Sequence, residues 1–369
     1  MKSSQHPPIA LNAPAYWEKR GLKAWLMWPL SLIFGCLAAL RHSLYEIGLL
    51  KSQALPVPII IVGNLRVGGT GKTPSVIALA RALRDKGYRV GVISRAYQGE
   101  VSTPTEVTLT SDARIVGDEP ALMAQQLYHH DAAWHIPVFV HPKRVLAGQA
   151  MLTQYPDVNV ILCDDGLQHY ALKRWPAREG GRDIEIIVRD QRGEGNRFLM
   201  PAGPLREYAS RERDFTLHLG QSIRADKPYL CGAPLFGVLA RPGSAYQLNN
   251  PPHQLSIDEL ARISHQEKIL CAAGMGNPEK FFQLVESHGI EIERLPLPDH
   301  YNYLENPFAG SDAQRILITE KDAVKCQEMQ MYRDDARIWV LPVTVQLPTD
   351  LLEQIDVILQ RPVHSIGNR

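Results

Sequence analysis

The sequence predicts an α/β protein with a parallel-sheet core, a second and smaller α/β unit towards the C-terminus, and an apolar helix at the N-terminus. Short Val- and Ile-rich runs alternate with amphipathic runs along most of the chain, the pattern of parallel strands joined by crossover helices. Residues 221–262, rich in Pro, Gly and Asn, divide that alternation into two blocks. The third observation is Ala24–Leu40, which carries no charge over seventeen residues. With 369 residues there is room for about two domains. The expected boundaries are 1–45 for the membrane-associated helix, 46–222 for the core, 223–262 for a β linker and 263–369 for the smaller domain.

Composition narrows the classes of function. The chain is 45% hydrophobic and 21% charged, ordinary for a globular protein, and its net charge of +1 gives no electrostatic footprint for nucleic acid. Cys36, Cys163, Cys231, Cys271 and Cys326 are scattered singly, without metal-ligand spacing, and read as reduced thiols.

In chain order, Ala24–Leu40 comes first, flanked by Lys19, Arg20 and Lys23 before it and by Arg41 and His42 after it. As a helix it is about 25 Å long, short of the roughly 30 Å hydrocarbon thickness, and Pro29 falls inside it. A signal peptide fits poorly because no small-x-small cleavage site follows. A span that keeps the downstream chain cytoplasmic puts Lys19, Arg20 and Lys23 on the wrong side. A helix lying in the interface, with Trp17, Trp25 and Trp28 at headgroup level, breaks neither rule, and a buried core helix is the remaining alternative.

Val57–Arg81 supplies the centre of the core: an apolar strand, the turn Gly63-Asn64-Leu65-Arg66-Val67-Gly68-Gly69-Thr70-Gly71-Lys72-Thr73, and an amphipathic helix. The strict phosphate-loop pattern asks for glycine at position 66, where this chain has Arg66. Its mechanical requirements are met. Gly68, Gly69, Thr70 and Gly71 let backbone amides point inward, Lys72 offers a charge for the outer phosphates, and the Thr73 hydroxyl suits Mg²⁺. Pro74 stands in the first helical turn, where its missing N–H costs nothing. The core is therefore read as P-loop NTPase-like: the loop alone indicates a bound nucleotide phosphate, and read with Asp164 and Asp165 further on it becomes a site for ATP and Mg²⁺.

Arg89–Ser94 is a second strand, leading to the turn Arg95–Gly99. Asp118 and Glu119 open the next helical run, where a carboxylate serves equally as a helix cap or in catalysis. Pro137–Val140 is a strand, with Arg144 in the helix after it. Val158–Asp165 ends in two carboxylates, Asp164 and Asp165, placed where a phosphate-loop enzyme needs an acid for its metal. After the strand Asp183–Arg189 comes a long loop to Glu207 with Arg192, Arg197 and Arg206, longer than a connector needs.

Beyond the linker, strands are expected at Lys268–Gly274, Ile290–Leu297, Arg315–Thr319 and Arg337–Leu347, with helices at Glu279–Gly289 and Thr349–Leu359. The turn Met275–Pro278 lacks a following Lys-Thr and is no second phosphate loop. His300, in a Pro-Asp-His-Tyr loop, is either structural or an acid or base.

Taken together, GNLRVGGTGKTP, VGDEP, DDGLQH, the GN…LMPAGPLRE loop, AGMGNPEKFF, DH and TEKDAVK, in this order across nearly the whole chain, resemble the tetraacyldisaccharide 4′-kinase family, the lipid A 4′-kinases of Gram-negative bacteria. The resemblance implies transfer of the γ-phosphate of ATP to the 4′-hydroxyl of a tetraacylated glucosamine disaccharide 1-phosphate. The expected partners are this lipid A precursor and the inner-membrane lipid surface, on its cytoplasmic face, with the protein a monomer attached through its N-terminal helix. Residue by residue, the resemblance assigns phosphate and metal contacts to Lys72, Thr73, Asp164 and Asp165. It makes Asp118 the base, paired with His300, and puts Arg144, Gln168, Arg206 and Glu207 on the substrate side. Two departures stand out: SRAYQG where the family tends to have SRGYGG, and Tyr301 where a second histidine is frequent.

A membrane-attached regulatory ATPase acting on a protein partner is the alternative, since GGTGKT resembles such proteins too. Their extra lysine early in the loop is absent, with Val67 in its place. A kinase of soluble metabolites is disfavoured by Ala24–Leu40.

Overall fold

The run Ile59–Gly63 is entirely buried and forms the middle of the larger sheet, as a β-branched strand packed on both faces should. The computed structural model describes residues 14–96, 101–128, 134–220 and 232–362. Their contacts divide them into two compact units, one drawn from Tyr16–Leu239 and Val345–Arg369, the other from Ala240–Thr344.

The larger unit contains, in chain order, α1 (Leu22–Glu46), β1 (Ile59–Gly63), α2 (Lys72–Asp85), β2 (Val90–Ser94), β3 (Thr105–Val107), α3 (Ala113–Val116), α4 (Asp118–Leu127), β4 (Val138–Val140), α5 (Arg144–Gln154), β5 (Val160–Asp164), β6 (Ile184–Arg189), β7 (Phe215–Leu219) and the start of β8 (Leu235–Pro242). The smaller unit contains β9 (Ala245–Gln247), β10 (Asn250–Leu255), α6 (Ile257–Ser264), β11 (Ile269–Ala273), α7 (Glu279–Glu286), β12 (Glu293–Pro296), β13 (Arg315–Thr319), α8 (Glu320–Cys326), α9 (Gln330–Arg333) and β14 (Ile338–Leu341). The chain then runs through β15 (Val343–Gln346) to α10 (Thr349–Leu359).

The nine-stranded sheet has the order β15-β8-β7-β6-β1-β5-β2-β4-β3. From β8 to β4 neighbouring strands are parallel, while β3 is antiparallel to its neighbour β4. Val62 of β1 is in register with Asp164 of β5 and Ile186 of β6. The loops that follow β1, β5, β2 and β6 consequently emerge side by side at one carboxyl edge, where open parallel sheets bind ligands. Helix α2 packs through Val76, Ile77, Leu79, Ala80 and Leu83, all buried.

The six-stranded sheet has the order β10-β9-β14-β13-β11-β12. Alternate residues of its parallel strands feed two apolar layers. Leu270, Ile316 and Ile318 meet Tyr303, Phe308 and Tyr332 on one face, while Cys271 and Leu317 meet Phe281, Phe282 and Val285 on the other.

Three local results refine the sequence reading. Arg337–Leu347, anticipated as one strand, is two, because Pro342 has no N–H to continue a ladder. The smaller domain is expected to reach residue 369, whereas α10 counts with the larger unit, where Leu351, Ile355, Ile358 and Leu359 are buried and Tyr88 donates a 2.6 Å hydrogen bond to Asp356. Within the expected β linker, Leu235–Arg241 enters β8, while residues 223–231 lie outside the described residues, as do residues 97–99 of SRAYQG.

Helix α1 buries three of its 25 residues. It runs straight through Pro29 and is long and apolar enough to cross a membrane by length and composition. It docks by a narrow seam of small residues, Ala24, Ser31 and Gly35. Ser31 Oγ donates to the Leu199 carbonyl at 2.7 Å and accepts from the Ala202 N–H at 3.0 Å. A Cβ on Gly35 would meet Leu199 at 2.9 Å. The opposite side exposes Leu26, Leu30, Ile33, Leu37 and Leu40, which disposes of the buried-core reading.

Candidate active site

The glycine loop after β1 is closed across itself. Gly68 and Gly71 adopt φ values of +100° and +93°, which a side chain would strain. At Gly71 a Cβ would also come within 2.5 Å of Leu219. Asn64 donates through Nδ2 to the Gly68 carbonyl at 3.3 Å and accepts through Oδ1 from Lys72 Nζ at 3.0 Å. Arg192, held by Asp190, donates to the Gly69 carbonyl at 2.9 Å. Lys72 is the first residue of α2, and Thr70 and Thr73 are buried beside it in sequence. Arg66, the departure from the strict pattern, turns away from the phosphate side: its guanidinium pairs with Glu18 and donates to the Arg192 carbonyl.

The two strand-end carboxylates are differentiated. Asp165, at φ +48°, has both oxygens 3.0 Å from Arg206 Nη1 and one 3.7 Å from Lys72 Nζ. Asp164 is buried, accepts through Oδ2 from the Ser94 hydroxyl at 3.3 Å, and has no hydrogen-bond partner for Oδ1. Burial first, then the charge of Glu119, push the Asp164 carboxyl up to about 7 despite Lys72 and Arg144. A buried carboxylate with an orphaned oxygen, followed along the edge by the Thr70 and Thr73 hydroxyls, fits a hard divalent cation bound through few protein oxygens plus substrate phosphates. Among the described residues no group of three or more His, Cys, Asp or Glu is placed to hold a metal ion.

Beside Asp165 lies a second cluster. Gln168 donates to Glu207 Oε1 at 2.7 Å, and Glu207 Oε2 accepts from Arg211 Nε at 2.5 Å. Arg206 is placed by its own backbone, whose N–H donates to the Leu65 carbonyl at 2.8 Å, so the long loop after β6 returns to the glycine loop. Arg144, expected on the substrate side, is buried at the start of α5 and donates to the carbonyls of Asp164 and Asp165, both at 3.4 Å. It therefore braces the strand end. His169 Nε2 accepts from the Arg144 N–H at 3.3 Å, and burial, followed by Arg144, Arg174, Arg41 and Arg95, lowers its pKa to about 4.

Asp118 occupies the first position inside α4, with Gly117 as N-cap at φ +96°, so the capping position belongs to the glycine. Both Asp118 and Glu119 lie in the first turn, where the helix dipole favours negative charge. In the smaller unit, His300 takes φ +57° in a loop pinned by α8: Lys325 donates to the Tyr301 carbonyl at 2.8 Å, and Lys321 Nζ lies 3.6 Å from Asp299.

The larger unit thus brings together Lys72, Thr73, Asp164, Asp165, Gln168, Arg206 and Glu207 at one sheet edge. Sequence reasoning passed over Asn64 and Ser94. Asn64 lies inside the motif GNLRVGGTGKTP, and Ser94 ends β2 as Asp164 ends the parallel neighbour β5, a placement visible once the two strands are paired.

Comparison with known proteins adds an independent line. The family model for tetraacyldisaccharide-1-P 4′-kinase matches residues 23–360. The chain is 48% identical over 361 residues to the tetraacyldisaccharide 4′-kinase of Polynucleobacter necessarius, covering 95% of this chain and 96% of that one. It is 47% identical over 344 residues to the protein of the same name from Herminiimonas arsenicoxydans, with 92% of each covered. Among solved structures, LpxK from Aquifex aeolicus in complex with ATP is similar at a TM-score of 0.70 and 26% identity, over 92% of this chain and 99% of that one.

Proposed function

The chain belongs to the tetraacyldisaccharide-1-P 4′-kinase family, and we propose on that premise how its residues divide the reaction. It is an ATP-dependent kinase of lipid A biosynthesis that transfers the γ-phosphate of ATP to the 4′-hydroxyl of a tetraacylated glucosamine disaccharide 1-phosphate. The regulatory-ATPase alternative is not favoured, since the relatives are named as kinases.

Gly68, Gly69, Thr70 and Gly71 cradle the phosphates, and Lys72 neutralises the charge that grows on the transferring group. Thr73, Asp164 and Asp165 would hold Mg²⁺, which when bound neutralises the phosphate oxygens and aligns them. The observation that carries this division is the unpartnered Asp164 oxygen beside an Asp165 already occupied by Arg206 and Lys72. Asp118 acts as the base on the acceptor hydroxyl, and His300 is the second catalytic group. Gln168, Arg206 and Glu207 line the acceptor, with Arg144 acting from behind the strand end.

Helix α1 lies in the cytoplasmic face of the inner membrane, and the protein works there as a monomer. Its exposed apolar side, with Lys19, Arg20 and Lys23 before the uncharged stretch and Arg41 after it, supports the membrane placement.

The test is transfer of ³²P from ATP to a lipid A disaccharide precursor in detergent micelles. Label in the lipid, lost in Asp164→Asn with the fold intact, supports the assignment. Undiminished transfer by Asp164→Asn removes Asp164 from it.

A further inference from the structure

Strand β6 reads Ile184-Glu185-Ile186-Ile187-Val188, and Glu185 is a carboxylate in an otherwise apolar, buried strand, in register with Ile61 of β1. It gathers three guanidinium groups. Arg211 donates to both its oxygens at 3.1 Å, Arg174 Nη1 lies 3.0 Å from Oε1, and Arg178 Nη1 donates to Oε2 at 3.3 Å. Two of these arginines reach onwards. Arg174 donates to the carbonyls of Gly166 and Leu167 at 3.4 and 3.3 Å, and Arg211 donates to the Leu167 carbonyl at 3.3 Å. Arg211 also grips Glu207, which accepts from Gln168.

We propose that Glu185 is a positioning residue for the lipid acceptor: through Arg174 and Arg211 it fixes the Gly166–Gln168 loop and the Glu207 carboxylate in the geometry that receives the disaccharide. The inference rests on the reading of Gln168 and Glu207 as acceptor-lining residues. Its physical basis is that a buried charge network is a poor source of net stability compared with apolar packing of the same volume, whereas it does fix geometry. Burial by itself would raise the Glu185 pKa, but Arg211 and Arg174 hold it below the usual carboxylate range, so it stays an anion with three cations to orient. None of its partners is in the glycine loop. Donors to Gly68 and Gly69 come instead from Asn64 and Arg192. Glu185 should therefore act on the acceptor and leave ATP alone.

The experiment measures KM for both substrates in the full-length enzyme carrying Glu185→Gln, Glu207→Gln or both. The expected result for Glu185→Gln is an acceptor KM raised about tenfold or more, as misplacement of a substrate-holding group does, with ATP KM within about twofold of the parent. The double variant should be less impaired than the product of the two single effects, because both act through Arg211. Glu185→Asp, which keeps the charge, should recover part of the loss. If Glu207→Gln raises the acceptor KM and Glu185→Gln lowers only thermal stability, or moves both KM values together, Glu185 is structural and the proposal fails. If Glu207→Gln leaves the acceptor KM unchanged, the acceptor-lining premise fails and takes the proposal with it. Should Glu185→Gln not accumulate as folded protein, Arg211→Lys keeps the charge but loses the fork. An acceptor-only KM effect there supports the proposal, and unchanged KM values overturn it.

Discussion

Lys72 donates a 3.0 Å hydrogen bond to Asn64 Oδ1, eight residues before it and on the other side of the glycine loop. The contact ties the ammonium to the loop, and Asn64 simultaneously ties down the Gly68 carbonyl. Lys72→Ala should therefore lower turnover by about 10²–10³-fold, the usual effect of removing one preorganised electrostatic group. Asn64→Ala leaves the charge and loses its placement. It should raise ATP KM about tenfold, the worth of one hydrogen bond to a charged group. Steady-state transfer assays with circular dichroism as the fold control distinguish the two, and wild-type turnover by Lys72→Ala would remove the lysine from the mechanism.

Asp118→Asn should cut turnover by about 10²–10⁴-fold, the range for a lost general base, with the dissociation constant for ATP little changed. Gly117 already fills the N-cap position of α4, so the substitution leaves the cap in place. Thermal melting and nucleotide titration on the same preparation decide the matter. A large drop in melting temperature with proportionate loss of activity would identify Asp118 as a structural carboxylate.

The core fold was legible because its signals are local: β-branched runs, a glycine loop opening a helix, and carboxylates at a strand end all precede tertiary contacts. What stayed hidden depends on pairing. Asp164 and Asp165 look equivalent in the sequence, yet the left-handed turn at Asp165 swings it out to Arg206 and Lys72 while Asp164 remains in the strand. Arg144 is a charged residue next to a site by sequence, and the geometry of α5 buries it against backbone carbonyls. The place of α10 was illegible for the same reason, since an amphipathic helix carries no mark of which apolar surface it will cover.

His169 gives the pH dependence of stability a defined sign. Its folded pKa of about 4 lies below the ordinary 6.5, so the fold favours the neutral ring, whose Nε2 accepts from Arg144. The stability it contributes is complete above pH 6.5 and is lost as pH falls towards 4. His169→Gln keeps an acceptor for the Arg144 N–H without a titrating ring. Melting temperatures measured between those pH values should fall less steeply for this variant than for the parent, and identical slopes would refute the role.

The exposed side of α1 offers the sharpest separation of membrane binding from folding. Leu26, Leu30, Ile33, Leu37 and Leu40 recur at the three- and four-residue spacing that builds one helical face, and Ile33 and Leu37 are 57% and 61% exposed. Ala24, Ser31 and Gly35 make the seam to the protein on the other side. A Leu26→Glu, Ile33→Glu, Leu37→Glu triple variant should keep its melting temperature, because no buried contact is touched. Its partitioning onto vesicles containing anionic lipid should fall by more than about tenfold, since three apolar side chains would have to leave the acyl boundary. Ser31→Leu should behave in the opposite way, crowding the Leu199 and Ala202 backbone and lowering stability while the lipid-facing side is intact. Cosedimentation of the triple variant at parental levels would place the membrane contact elsewhere on the molecule.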